Sequence, residues 1–222
     1  MKRSEINRYV KEAKSFLNKN HFYLPVWTEW TPEEWAGKGE ECKEIRQNEL
    51  GWDVTDFGKG NFLHEGLTLV TIRNGNLKLD KKPYCEKIMY VREGQITPTH
   101  FHWTKMEDII NRGGGTLCIK IWKASADEKP MEEDVSIQID GVTTTVKAGS
   151  VIRLTKGMSI SFVPYIYHEF WSEDGDSLIG EVSTVNDDKV DNRFLEPLPR
   201  YPQIEEDEKP AFVLCNEYAK YK

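Results

Sequence analysis

A chain of 222 residues with 38% hydrophobic and 11% aromatic residues is long enough to bury a core and too apolar to remain disordered. Its formal charge of −7 argues against nucleic acid as a partner, since phosphate binding needs a basic face. No stretch approaches the roughly 20 apolar residues of a membrane span, the N-terminal MKRSEINRYVKEAKSF lacks a signal-peptide apolar run, and Cys42, Cys85, Cys118 and Cys215 form no C-x-x-C pair, so a soluble cytoplasmic protein with reduced thiols is expected.

Residues 4–18 place Ile6, Tyr9, Val10, Ala13, Phe16 and Leu17 at helical spacing, which predicts an amphipathic helix. Thr31-Pro32-Glu33-Glu34 reads as a helix start with a Thr cap, Pro at the first position and Glu at the third. Glu40 to Gln47 suggests a further short helical piece. From Gly51 the texture changes to glycine-marked turns and alternating segments. Leu67–Arg73, Glu86–Arg92, Thr99–Trp103, Gly115–Lys123, Val135–Ile139, Val142–Val146, Val151–Leu154, Ser159–Val163, Tyr167–Trp171 and Leu178–Val185 all read as strands. Asp140-Gly141 is a hairpin turn between two of them. Many short strands with frequent turns predict a sandwich or barrel rather than alternating βα units. The expected organisation is one domain over residues 1–222. A helical extension covers 1–60, a barrel 62–185 and a polar tail 186–222, with Phe212–Cys215 as a possible edge strand.

The ligand chemistry concentrates between Gly94 and Glu107. His100 and His102 are two apart, so in an extended strand both imidazoles leave one face, and Glu107 follows at a distance that allows a strand end to bring its carboxylate back. Two imidazoles and a carboxylate suit a divalent ion such as Mn, Fe, Co, Ni or Zn. Gly94, five residues, His100-x-His102, four residues, Glu107, six residues and Gly114 resemble the first signature of the cupin superfamily, which implies an all-β jelly-roll barrel. A fourth ligand is sought among the remaining histidines. His21 and His64 lie in helical and Gly-rich surroundings and read as surface or packing residues, whereas His168 lies on a strand shortly after Pro164. It resembles the histidine of the second cupin signature, although Pro164 is four residues before it instead of five, the turn glycine is missing, and Ser172 stands where Asn is common.

His100-Phe-His102-Trp-Thr-Lys105-Met-Glu107-Asp108, Tyr167-His168-Glu169-Phe170, Gly180-Glu-Val-Ser-Thr-Val-Asn186-Asp187-Asp188 and Asp191-Asn192-Arg193-Phe194 together resemble the D-lyxose isomerase family of cupin sugar isomerases over nearly the whole chain. The resemblance implies a manganese-dependent aldose–ketose isomerase converting D-lyxose to D-xylulose and D-mannose to D-fructose, with Co, Fe or Zn as possible replacements for Mn. His100, His102, Glu107 and His168 would hold the ion. Moving a carbonyl between C1 and C2 requires a Lewis acid at the sugar oxygens and a carboxylate that carries a proton between carbons. Lys105 is a candidate donor to the developing oxyanion. Glu107 and Glu196 are candidate proton carriers, Glu196 being preferred slightly over Glu181, and Asp188, Asp191 and Arg193 are candidate sugar-binding residues. Analogy with other cupins suggests a homodimer. An Fe(II)-dependent dioxygenase would use the same ligands but favours an apolar pocket. A sugar-binding or sensor module needs no complete ligand set, and a phosphosugar isomerase would need a phosphate-holding loop or basic cluster that the chain lacks.

Overall fold

The computed structural model describes residues 1–221. Helix α1 (Arg3–Lys19) buries Ile6, Tyr9, Val10, Ala13 and Leu17 along one stripe. That stripe packs on Val70, Ile72, Ile88, Tyr90 and Leu178, the outer face of a sheet. Helix α2 (Pro32–Ala36) opens as its sequence predicts: Thr31 Oγ1 accepts from the Glu34 amide, and the Glu34 carboxylate accepts from the Thr31 amide. Helix α3 (Lys43–Gln47) follows a single 3₁₀ turn over Glu40–Cys42. Both ends of the chain are tied together at α1, where the buried Arg3 guanidinium donates to Glu217 and Glu206 at 2.6 and 2.8 Å.

Eleven strands follow: β1 (Gly51–Thr55), β2 (Leu67–Asn74), β3 (Tyr84–Val91), β4 (Thr97–Phe101), β5 (Glu107–Lys123), β6 (Val135–Ile139), β7 (Val142–Val146), β8 (Val151–Leu154), β9 (Ser159–Phe162), β10 (Ile166–Thr184) and β11 (Arg193–Phe194). Every pairing between them is antiparallel. The long β5 and β10 run against each other over nearly their full lengths, with a break in register between Glu173 and Ser177. At this break Gly114 (φ 87°) and Gly115 lie against the partner backbone. A Cβ on Gly114 would sit 2.0 Å from the Asp176 carbonyl oxygen, so a side chain has no room there. Beyond the break both strands change neighbours: β5 passes from β9 to β8, and β10 passes from β4 to β3. One hydrogen-bonded ribbon thus becomes two facing walls with a shared core of Ile109, Leu117, Ile119, Ile121, Phe170 and Ile179. This is an all-β jelly roll of the cupin type, as the strand count and spacing lead one to expect.

The structure shifts several boundaries. The sheet begins at β1, inside the segment read as a helical extension, because Trp52 and Val54 face α1 while the strand pairs with β2. Tyr167–Trp171 and Leu178–Val185, read as two strands, are halves of β10. The tail contributes β11, which pairs with β4, while Phe212–Cys215 makes only an isolated parallel bridge between Leu214 and Trp52. No helix among the described residues is long and apolar enough to cross a membrane.

Candidate active site

His100 lies on β4 directly opposite His168 on β10, and His102 follows one residue past the end of β4. Each imidazole is buried, and each has its Nδ1 against a backbone carbonyl: His100 on Pro98 at 2.7 Å, His168 on Ile166 at 3.1 Å, and His102 on Asp191. A carbonyl only accepts, so Nδ1 carries a proton in each ring and Nε2 is the nitrogen left to face the interior. Ligand nitrogens of the three rings lie within 4.8 Å of one another. Burial pushes His100 well below the usual imidazole range. Burial and then the nearby Lys105 ammonium bring His102 down to about 4, so both rings are neutral at pH 7. Neutral, tautomer-fixed imidazoles converging in this way can hold a metal ion. The turn leading to His168 forms without its expected glycine. Tyr165 takes the left-handed conformation itself (φ 65°), donates its amide to the His102 carbonyl at 3.0 Å and stacks on Phe101.

Glu107 begins β5 and enters the same space. Its Oε1 lies 3.1 Å from Nε2 of His168, its Oε2 lies 3.6 Å from Nε2 of His102, and Lys105 Nζ is 2.7 Å from Oε2. Oε1 is buried and has no hydrogen-bond partner, and the ring nitrogen it faces is Nε2 of His168. Burial alone would push the Glu107 carboxyl up, but the Lys105 ammonium and the neighbouring His102 and His168 together hold the group well below the usual range. Lys105 is itself spread over three acceptors: Glu107, Glu181 at 2.9 Å and Asn186 Oδ1 at 3.2 Å. Its three N–H bonds are therefore all used. Glu181, on the second half of β10, also lies 3.5 Å from Lys87 of β3. Burial raises its pKa, but Lys105 and Lys87 together bring it below the ordinary carboxylate value. The cavity around this group is completed by apolar side chains, among them Leu69, Met89, Phe170 and Phe194.

The family model for D-lyxose isomerase matches residues 1–218. The chain belongs to the D-lyxose isomerase family. A D-lyxose/D-mannose isomerase of Escherichia coli O157:H7 is 47% identical over 100% of both chains, and one of Serratia proteamaculans is 46% identical over 100% of this chain and 99% of its own. Among solved structures, the L-ribose isomerase of Cellulomonas parahominis with L-ribose aligns with a TM-score of 0.61 at 15% identity, covering 92% of this chain and 98% of that one. The L-ribose isomerase of Acinetobacter sp. DL28 with L-ribose gives 0.60 at 15%, covering 91% and 98%. At that identity the likeness speaks for the fold.

Within this member of the family, the residues singled out by sequence separate into two groups. His100, His102, Lys105, Glu107, His168 and Asp188 line one cavity. Glu196 does not: its side chain is 76% exposed and pairs with Lys59 at 3.2 Å on the outer surface. The chain turns away after β11, so the carboxylate projects outside, and Glu181 occupies the interior instead. Arg193 also stays out of the cavity, its Nε donating to Glu128 at 2.6 Å. Asp191 is buried, but its carboxylate accepts the amides of Trp103, Thr104 and Lys105 and the Thr104 hydroxyl, while its carbonyl accepts from His102. It shapes the turn between ligands and has little capacity left for a sugar hydroxyl. His21 and His64 are exposed, as expected for surface residues.

The structure adds Lys87, Asn186, Asn192 and Arg200, which sequence reading did not select. Lys87 reaches Asn186 Oδ1 at 2.7 Å, and Arg200 donates to Asp53 and Asp188 at 2.5 and 2.8 Å. Burial raises the Asp188 carboxyl, but Lys87 and Arg200 outweigh it and hold the group well below its usual range. For Lys87 a signal existed. It shares strand phase with Met89 and Val91, both in the barrel core, and a charge in the inward phase is unusual unless paired. Arg200 sits in the Pro-rich tail, where no periodicity points inward.

Proposed function

We propose that this chain is a metal-dependent aldose–ketose isomerase of free sugars, acting on D-lyxose to give D-xylulose and on D-mannose to give D-fructose. The carrying observation is the convergence of three buried imidazoles, their ligand nitrogens within 4.8 Å of one another, on the Glu107 carboxylate, whose Oε1 is buried without a hydrogen-bond partner 3.1 Å from His168 Nε2. A cation held by His100, His102, His168 and Glu107 would give that oxygen a partner, and the mixed nitrogen–oxygen donor set fits Mn(II), our choice, as well as Co, Fe or Zn. The bound ion would supply a Lewis acid at the sugar's carbonyl oxygen.

The remaining chemistry belongs to the chain. Glu181 is ionised, buried and on the cavity wall, so it is placed to accept the proton from the carbon next to the carbonyl and return it to the neighbouring carbon. It takes the role that sequence reading gave to Glu196. Lys105 acts by holding Glu107 and Glu181 in place and charged, because its own N–H bonds are committed to them and to Asn186. Asp188 remains a sugar-binding candidate at the cavity wall. Lys87, Lys105 and Arg200 each face carboxylates, which leaves no free cationic cluster for a phosphate and favours unphosphorylated sugars. The reading includes a homodimer in the cytoplasm, for which sedimentation of the purified protein is the check. The deciding assay uses metal-stripped protein with Mn(II) restored, tested on a panel of free aldoses for ketose. Ketose from D-lyxose and D-mannose, dependent on added metal, is expected. Tight metal binding without ketose from any aldose would overturn the proposal.

A further inference from the structure

Seven buried side-chain nitrogen or oxygen atoms among the described residues lack a hydrogen-bond partner, and four of them belong to residues lining this one cavity. Natively folded chains leave few buried polar atoms unpaired, so such a concentration marks where the polar atoms of a ligand go. One of the four, Glu107 Oε1, is accounted for by the metal group. The other three are Oγ1 of Thr97, Oδ1 of Asn192 and Nη1 of Arg200.

All three are held by their surroundings. Thr97 is on β4, three residues before His100, and is paired with Phe170 of β10. Asn192 lies between two anchored neighbours: Asp191, whose carboxylate accepts from the 103–105 turn, and Arg193, whose guanidinium is on Glu128. Arg200 spends Nη2 on Asp53 and Asp188, which orients the guanidinium plane and therefore Nη1. Two carboxylates already balance its charge, so Nη1 offers a directed donor without calling for an anion. A hydroxyl, an amide oxygen and a neutralised guanidinium N–H together match alcohol groups, which both donate and accept.

We infer that Thr97, Asn192 and Arg200 form a hydroxyl-reading subsite that determines which sugars the cavity accepts. The inference rests on the isomerase reading above and deepens it. The ion and Glu181 attend to C1 and C2, while these three atoms engage hydroxyls further along the chain. A sugar missing the matched hydroxyl leaves a buried polar atom unpaired again and is discriminated against for that reason.

The test assays D-lyxose and its 3-deoxy and 4-deoxy analogues on the Mn(II)-loaded wild type, Thr97→Val and Asn192→Leu. Thr97→Ser keeps the hydroxyl, and Asn192→Ala stands in should leucine fail to pack; melting temperature and metal content are recorded for each. On D-lyxose, kcat/KM should fall about tenfold for Thr97→Val and for Asn192→Leu. For each variant, one analogue should show little further loss, because the hydroxyl it lacks is the one that residue reads. Thr97→Ser should retain the wild-type ranking of the three sugars. Equal fractional losses on all three sugars, or no loss at all, would overturn the subsite while leaving an active isomerase. A metal-loaded wild type inactive on D-lyxose would instead overturn the isomerase reading, and the subsite with it.

Discussion

Replacing Glu181 with Gln separates proton transfer from metal binding. The change removes one negative charge but preserves shape, and Lys105 still faces Glu107 at 2.7 Å, so its ammonium keeps a full counter-charge. Removing one partner of a buried pair ordinarily costs roughly 3–5 kcal/mol of stability. With Glu107 remaining, and with Gln Oε1 able to accept from Lys105, a cost of about 1–3 kcal/mol is expected. Metal content should be unchanged, since Glu181 is not among the residues proposed to hold the ion. Turnover should fall by roughly 10²–10⁴, the usual contribution of a positioned general base, which corresponds to about 2.7–5.5 kcal/mol of barrier. The assay is proton NMR of D-lyxose in D2O, following replacement of the C2 hydrogen together with ketose formation. Exchange and isomerisation should slow in parallel. A Glu181→Gln protein that exchanges the C2 hydrogen at the wild-type rate refutes the assignment and leaves Glu107 as the carboxylate to test.

Lys105→Ala removes no metal ligand but leaves Glu107 and Glu181 without their shared ammonium; both carboxyls should shift up, and turnover should drop about 10²-fold or more while bound metal, measured by atomic absorption, is retained. His168→Ala should lose both metal and activity, because it removes one of the three converging Nε2 atoms. Stability of the metal-free protein should depend on pH through His102. Its folded value, about 4, is depressed below the ordinary 6.5, so the unfolded chain takes up more protons between these values. The contribution is present above pH 6.5 and is lost as pH falls toward 4, on the order of 3 kcal/mol, and urea unfolding at pH 7 and pH 5 should show the loss. Asp191→Ala strips acceptors from the turn carrying Trp103, Thr104 and Lys105, and should weaken metal affinity as well as lower the melting temperature, though Asp191 ligates nothing.

Much of this protein was legible in local pattern. Alternation of apolar residues announces the strands, Thr31-Pro32 with Glu34 announces a helix start, and His100-x-His102 with Glu107 announces a ligand group, because each depends on neighbours within a few residues. The all-β architecture and the family motifs follow from the same short-range information. Long-range pairing decided the rest. The β5–β10 ribbon breaks register beside Gly114 and Gly115, and beyond that break the second half of β10 carries Glu181 to Lys105. Glu196 and Arg193 stand in the same motif-bearing stretch as Asp188 and Asp191, yet the short pairing of β11 with β4 turns them outward, onto Lys59 and Glu128. Which carboxylate faces the cavity and which faces water is a matter of strand phase and wall. A segment's sequence states its alternation, but the partner strand across the barrel determines which phase is buried.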